Sequence, residues 1–487
     1  MNARIFSFLI CLLGWTPLLQ SASKPNLLII HTDEHNFRTL GCYREQLSKE
    51  QAFIWGKGVK VDTPHIDSIA HEGVICTKFY AASPVCTPSR ASFLTGLYPQ
   101  ATGSPRNNLP MKDSMVTFAE VLRRQGYATS YVGKWHVDGN AKPGFAPKRK
   151  FGFDDNRFMF NRGHWKVFKN SKSGKTADAS FDPKKGYFSY SIRGANRQTF
   201  STDFLTDRTL EILERDKKKP FCVMLSLPDP HGPNSVRAPY DTMFTKLKFQ
   251  KPASMKAILE QPRRAPKWNL QGKNGVKRIN QAAMARYFGM VKCIDDNVGR
   301  LLAFLKKNDL EKSTVVVFSS DHGDLMCEHC RLNKGLPFET SAGIPFLVRY
   351  PEKIKSAKVI RTACTTVDFT PTILSLMGFQ KQAPECHGKD LSGEFLKDEK
   401  IIDEDRIVYL RQSSGRWVAA VDHQHKLVLS VNDKPWLFDL KKDPDELTNY
   451  YEDPLYRKVA IRLKEKLLKL MKQYQEPALN EMQLRFN

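Results

Sequence analysis

The sequence predicts an α/β fold, a parallel sheet flanked by crossover helices, and three observations carry that expectation. Short apolar runs recur without alternation, helical patterns lie between them, and each run ends in a compact polar cluster. "NLLII" (26–30) leads into "HTDEH", "ATSYVG" (128–133) into "KWH", "FCVMLSL" (221–227) into "PDPHGP" and "TVVVFSS" (314–320) into "DHGD". Runs of this length and composition read as strands buried on both faces. Apolar residues at helical spacing over 117–125, 204–215 and 282–307 supply the crossovers, the first stopped by Gly126. In such sheets ligands bind beyond the carboxyl ends of the strands, where all four polar clusters fall.

The pattern changes near residue 400. "RIVYLRQ", "RWVAAVD", "HKLVLSV" and "PWLFDL" are short runs separated by the turn signals "SSG" and "NDKP". They predict an antiparallel sheet, and "YRKVAIRLKEKLLKLMKQY" adds a closing amphipathic helix. The expected organisation is a main domain over 24–400 and a small C-terminal α+β subdomain over 401–487.

Residues 1–23 have the three parts of a secretory signal peptide: Arg4, an apolar run over 5–19, and the small residues Ser21, Ala22 and Ser23. The run is shorter than the roughly 20 residues a membrane-spanning helix needs, and Pro17 interrupts it. The expectation is an exported protein, periplasmic or secreted, with no stable membrane insertion. Lys plus Arg (76) exceeds Asp plus Glu (51), a net charge of +25. Export argues against nucleic acid as the partner and leaves extracytoplasmic polyanions, among them sulfated polysaccharides, or a basic surface with no specific partner. Of ten cysteines, Cys11 leaves with the signal. The odd number remaining means that at least one thiol is unpaired, modified or intermolecular. Cys327 and Cys330 form a lone C-x-x-C that fits a local disulfide or two free thiols as well as a metal.

Asp33 and Glu34 follow one strand, Asp321 and His322 another. Carboxylates converging with no apparent basic partner repel one another, and an oxygen-rich set favours Ca²⁺ or Mg²⁺ as the relief. Lys134, His136, His231 and Lys334 add cations and imidazoles for a tetrahedral anion and a general acid. His31 and His65 read as structural. In "SPVCTPSRASFLTG" Pro88 suits a first helical turn, which places Cys86 at a helix opening that favours negative charge. Arg90 then lies one turn above Cys86 on the same face.

These residues resemble a type I sulfatase of the alkaline-phosphatase-like superfamily. "CTPSRASFLTG" meets the signature C-x-P-S-R-x-S-x-L-T-G at every fixed position. The resemblance runs from "NLLIIHTDEH" through "GKWH", "DPH" and "SDHGD" to "LFDLKKDPDELTN". It implies a mixed, mostly parallel sheet between helices, and oxidation of Cys86 to formylglycine by a formylglycine-generating or sulfatase-maturating enzyme. The hydrated aldehyde has two hydroxyls: one attacks sulfur, the other loses a proton to release sulfate. By the same resemblance Asp33, Glu34, Asp321, His322 and modified Cys86 hold calcium (Ca2+), with Glu34 a departure from the family's usual Asp, Asn or Gln. Arg90 and Lys134 stabilise the hydrated aldehyde and sulfate oxygens, and His136 assists proton removal. His231 and Lys334 bind sulfate and serve the leaving oxygen.

The segments 139–203 and 262–278 are rich in cations and aromatics; Trp165 and Trp268 each read first as packing residues and second as sugar platforms. A sulfated polysaccharide or oligosaccharide is the expected substrate, with algal galactans such as carrageenan in view. The alternatives are a phosphonate monoester or phosphodiester hydrolase using the same nucleophile, and a non-catalytic binder of anionic glycans.

Overall fold

The computed structural model describes residues 24–170, 177–179, 181–182, 187–270, 275–397 and 402–480. The expected signal segment and the expected boundary at residue 400 lie outside the described residues. An eight-stranded sheet forms the centre of the molecule. Its strands are β1 (Asn26–Asp33), β2 (Val74–Cys76), β3 (Ala128–Lys134), β4 (Asp155–Phe160), β5 (Phe221–Pro230), β6 (Thr314–Ser320), β7 (Phe346–Arg349) and β8 (Lys358–Ile360). They lie in the order β8-β2-β7-β6-β1-β5-β3-β4. β7 runs antiparallel to both neighbours and every other pairing is parallel. The sheet is therefore mixed and mostly parallel, and the four strands legible as apolar runs are its four adjacent central strands.

Strand periodicity divides the middle of this sheet between two cores. Leu27 and Ile29 of β1 pack on one side with Phe93, Phe118 and Phe369. Leu28 and Ile30 face the other side with Ile66, Phe204 and Ile294. The first layer of helices comprises α2 (Cys86–Thr95), α3 (Phe118–Arg124) and α6 (Phe369–Leu376), the second α1 (Pro64–His71), α4 (Ser201–Asp216) and α5 (Gln281–Lys307). The expected helices appear with shifted ends. Thr117 stands outside α3 as its cap, its side chain accepting from the Glu120 N–H.

The C-terminal region builds a four-stranded antiparallel sheet from β9 (Val408–Arg411), β10 (Trp417–Val421), β11 (His425–Ser430) and β12 (Trp436–Asp439), in chain order. One face packs Val418, Ala420, Leu427 and Leu429 against Leu463, Leu467 and Met471 of α7 (Arg457–Gln473). The other packs Trp417, Ala419 and Val428 against Leu336 and Phe338, just beyond Lys334. Trp417 Nε1 donates to the Gly335 carbonyl at 3.1 Å and Lys426 Nζ to that of Pro337 at 2.7 Å. Lys426, fully buried, also pairs with Glu339 at 2.7 Å and Glu446 at 2.9 Å.

Nine cysteines are described and all are free thiols, Cys327 and Cys330 among them. No helix among the described residues is long and apolar enough to cross a membrane.

The two faces of α7 give a direct test of how the subdomain is held. Leu467 is fully buried, whereas Ile461 on the same helix is 48% exposed. Leu467→Ala is expected to lower stability by about 2–5 kcal/mol, and Ile461→Ala to change it by no more than about 0.5 kcal/mol. Urea denaturation of the two variants checks the contrast.

Candidate active site

Because β6, β1, β5 and β3 are adjacent and parallel, their carboxyl ends converge on one edge. That edge brings together Asp33 from β1, Asp321 and His322 after β6, His231 after β5, and Lys134 with His136 at the end of β3. Glu34 and His136 adopt left-handed backbone (φ 62° and 60°), a conformation that a non-glycine residue rarely takes and that is common at functional sites. Cys86 is the first residue of α2, after an extended Val85, and every residue of α2 is buried. Asn107 Oδ1 accepts the Thr87 N–H at 2.9 Å, satisfying one of the donors at this helix opening.

The Cys86 Sγ lies 3.2 Å from His322 Nε2, 3.8 Å from Lys134 Nζ and 3.9 Å from Asp33 Oδ1. Burial and Asp33 push its thiol pKa up, but Lys134, Lys334 and His322 together hold it below the ordinary cysteine value. Asp33, Cys86, Asp321 and His322 each offer a ligand atom within 4.8 Å of the others.

The two carboxylates of this set suit a hard divalent cation, and the side chain at 86 would suit one only with oxygen in place of its sulfur. Burial opposes ionisation of Asp33, yet Lys134, His231, Arg90 and His164 hold it well below the usual carboxylate range. Asp321 is likewise held low against burial, by His322, Arg90 and Lys134. His322 commits Nδ1 to the Gly323 carbonyl at 3.0 Å, which orients Nε2 toward the Asp321 Oδ1 at 3.4 Å. Burial lowers the His322 pKa, but Asp321 and Cys86 carry it up to about 9, so the oxygens here favour positive charge.

The carboxylates do have a basic partner, contrary to the expectation from sequence. Arg90 Nη2 meets Asp33 Oδ2 at 3.0 Å and Arg90 Nε meets Asp321 Oδ2 at 2.9 Å. Its Nη1 donates to the Lys134 carbonyl at 2.9 Å and to Ser226 Oγ at 2.7 Å. A guanidinium has five N–H donors, and these four bonds leave one. Arg90 thus orders the two carboxylates, turning Oδ1 of each toward His322, and has little capacity left for an anion. Lys134 also pairs with Asp33.

Glu34 does not join the group of four. Its Oε2 lies 3.0 Å from His231 Nε2 and its Oε1 3.2 Å from Lys334 Nζ, and the Lys334 ammonium draws the longer carboxylate aside. Burial first, then Asp33 and Cys86, raise its pKa. The Oε1 atom has no hydrogen bond among the described residues.

Two lysine–histidine pairs face the same opening. Lys334 Nζ lies 2.6 Å from His231 Nε2, and His231 Nδ1 lies 2.8 Å from the Gly232 carbonyl. Lys134 Nζ lies 2.8 Å from the Nε2 of His164, a residue the sequence did not single out. The two imidazoles stack with centroids 3.5 Å apart and 7° between planes. His164 belongs to no motif, and its only advance signal was its place in a long loop at the active edge. His136 has both ring nitrogens buried without a hydrogen bond among the described residues. Burial, with Lys134 and Arg90, holds its pKa well below that of free histidine, so the ring is neutral.

Trp165 and Trp268 are buried, 1% and 5% exposed, and are packing residues rather than sugar platforms. Trp165 Nε1 donates to the Arg162 carbonyl at 3.1 Å, and Trp268 packs on Phe338 and Trp436.

The family profile described as Sulfatase matches residues 18–379, and that described as N-sulphoglucosamine sulphohydrolase, C-terminal, matches 327–473. The chain is similar to the N-acetylglucosamine-6-O-sulfatase of Bacteroides thetaiotaomicron, 26% identical over 94% of this chain and 88% of the relative. It is also similar to the ulvan-active sulfatase of Formosa agariphila, 27% identical over 92% of this chain and 81% of the relative. Among solved structures, the phosphonate monoester hydrolase of Agrobacterium radiobacter shares the fold (TM-score 0.69, 23% identity, 92% of this chain and 96% of that one). With three quarters of its length matched by the family profile, the chain belongs to the sulfatase family of the alkaline-phosphatase-like superfamily and is a sulfuric ester hydrolase.

Proposed function

We propose that this sulfatase removes sulfate from a sulfated polysaccharide or oligosaccharide, using formylglycine made from Cys86 as nucleophile and calcium as its metal. The observation that carries the proposal is the placement of Cys86 at the opening of a buried helix, within 4.8 Å of ligand atoms of Asp33, Asp321 and His322. The glycan class is supported by relatives named for N-acetylglucosamine and ulvan sulfate esters, and by a net charge of +25 suited to polyanions. A sulfated algal galactan such as carrageenan is included in the proposal. So are export to the periplasm or beyond and maturation by a formylglycine-generating or sulfatase-maturating enzyme.

Asp33, Asp321, His322 and the side chain at 86 would hold the cation, with Glu34 at its border. Calcium, when bound, would supply positive charge against the sulfate oxygens. Oxidation of Cys86 would supply a hydrated aldehyde with two hydroxyls, one nucleophilic and one whose deprotonation releases sulfate. The remaining chemistry belongs to the chain's own side chains. Lys134 and Lys334 bind sulfate oxygens as negative charge grows on them. Neutral His136 takes the proton released at position 86. Burial opposes charge on Lys334, but Cys86 and Glu34 raise its pKa, so it stays an ammonium and can donate toward the departing oxygen, oriented by the hydrogen bond that His231 Nε2 accepts from it. Arg90 keeps the two carboxylates in place.

Four measurements test this reading. Protein made with a maturation enzyme should yield a Cys86 peptide with the mass of the aldehyde and release sulfate from at least one sulfated glycan in a panel of algal and animal polymers. Cys86→Ala should reduce turnover by about three orders of magnitude or more. On matched aryl sulfate and aryl phosphonate monoesters, the sulfate should have the higher kcat/KM; the reverse preference would make the enzyme a phosphorus hydrolase. A chelator should abolish activity and lower Tm, and calcium should restore both, with a stabilisation of about 2.7 kcal/mol at a hundredfold excess over Kd. Undiminished activity in the metal-free protein would remove calcium from the mechanism.

A further inference from the structure

We propose that His164 is a positioning residue of the sulfate site, clamping Lys134 by a hydrogen bond and His231 by a ring stack across the mouth of the pocket; this rests on the sulfatase chemistry proposed above.

An ammonium only donates, so Nε2 of His164 must accept from Lys134 and its proton must sit on Nδ1. Lys134 is a flexible four-carbon side chain, fully buried. Its pairing with Asp33 fixes one direction of the ammonium and His164 fixes a second, leaving the third N–H on the side of Cys86, 3.8 Å away. On its other side the His164 ring lies flat on His231, which restrains rotation of a ring that its own torsion defines only loosely. Lys134, His164, His231 and Lys334 therefore form one continuous chain of contacts, joining the side of the pocket at β3 to the side held by the C-terminal sheet.

The loop is built to deliver this ring. Gly163 has φ 118°, and a Cβ there would lie 2.4 Å from the Trp165 indole. Buried Trp165 thus anchors the turn, and His164 between them is only 17% exposed at its side chain. A second metal centre on Asp33, His164 and His231 is the competing reading of the same atoms. Both imidazole Nε2 atoms already face ammonium groups, at 2.8 Å and 2.6 Å, which would repel a cation and occupy the lone pairs it needs.

The test uses matured, calcium-loaded enzyme and three variants. His164→Phe keeps a stacking ring without the acceptor, His164→Gln keeps an acceptor without the stack, and His164→Ala removes both. Expected for His164→Ala is a fall in kcat of about tenfold or more, with Tm close to wild type and a steeper dependence of rate on leaving-group acidity across aryl sulfates. Phe and Gln should each recover part of the loss. Calorimetry with inorganic sulfate on the unoxidised cysteine protein should give weakened binding in the same order, Ala weakest. The proposal is overturned if His164→Ala keeps kcat and sulfate affinity within about twofold of wild type. Equal losses in all three variants, tracking a lowered Tm, overturn it as well, because they indicate packing alone. If fully oxidised wild type cleaves no sulfate ester, the sulfatase reading fails, and the sulfate-binding series still decides the clamp.

Discussion

One guanidinium ties the ends of the four central strands together. Arg90 reaches Asp33 at the end of β1, Asp321 after β6, the Lys134 carbonyl at the end of β3 and Ser226 within β5. Burying a charge network of this kind costs desolvation, and its net contribution to stability is small or negative; what it secures is geometry. With Oδ2 of each aspartate held by Arg90, Oδ1 of each is left to face His322 and Cys86. Since Arg90 is one helical turn from Cys86, the contact that arranges the acidic oxygens also fixes the helix that presents Cys86.

Lys334 is held in another way. It follows a segment in which Met326, Cys327, His329, Cys330 and Asn333 all have positive φ, an unfavourable backbone for side-chain-bearing residues. Such a path persists only where surrounding contacts overdetermine it. The C-terminal sheet supplies them: Trp417 holds the carbonyl of Gly335, Lys426 that of Pro337, and the carboxylates of Glu339 and Glu446 balance the buried ammonium. The small subdomain thus supports the segment that carries Lys334, although it contributes no residue to the group around Cys86.

Much of this was legible from the chain because the central strands are buried on both faces and announce themselves as unbroken apolar runs. Polar clusters at their ends then had to meet once the strands lay side by side. The three strands on the far side of β6 were not legible, since β2, β7 and β8 are only three or four residues long, and nothing in "FLVR" tells that β7 runs the other way. The partners of the carboxylates were missed for a different reason. Arg90 is 57 residues from Asp33 and 231 from Asp321, and a sequence shows which residues carry charge but not which charges touch. The same limit hid the withdrawal of Glu34 toward His231 and Lys334. The tryptophans stay open on sequence alone, with packing favoured over a platform, because aromatic content in a surface loop is compatible with both. Burial decides between them, and both are anchors.

The loop between β4 and α4 carries a consequence for how this scaffold can diversify. Connections at the active edge are where new substrate preferences would most readily be written. Yet the same stretch supplies the ring that touches both Lys134 and His231. Recognition and turnover are consequently not separable modules here. A replacement loop brings a new substrate to a working pocket only if it also returns an imidazole to that one spot, so the Gly-His-Trp turn limits which loops the scaffold can accept.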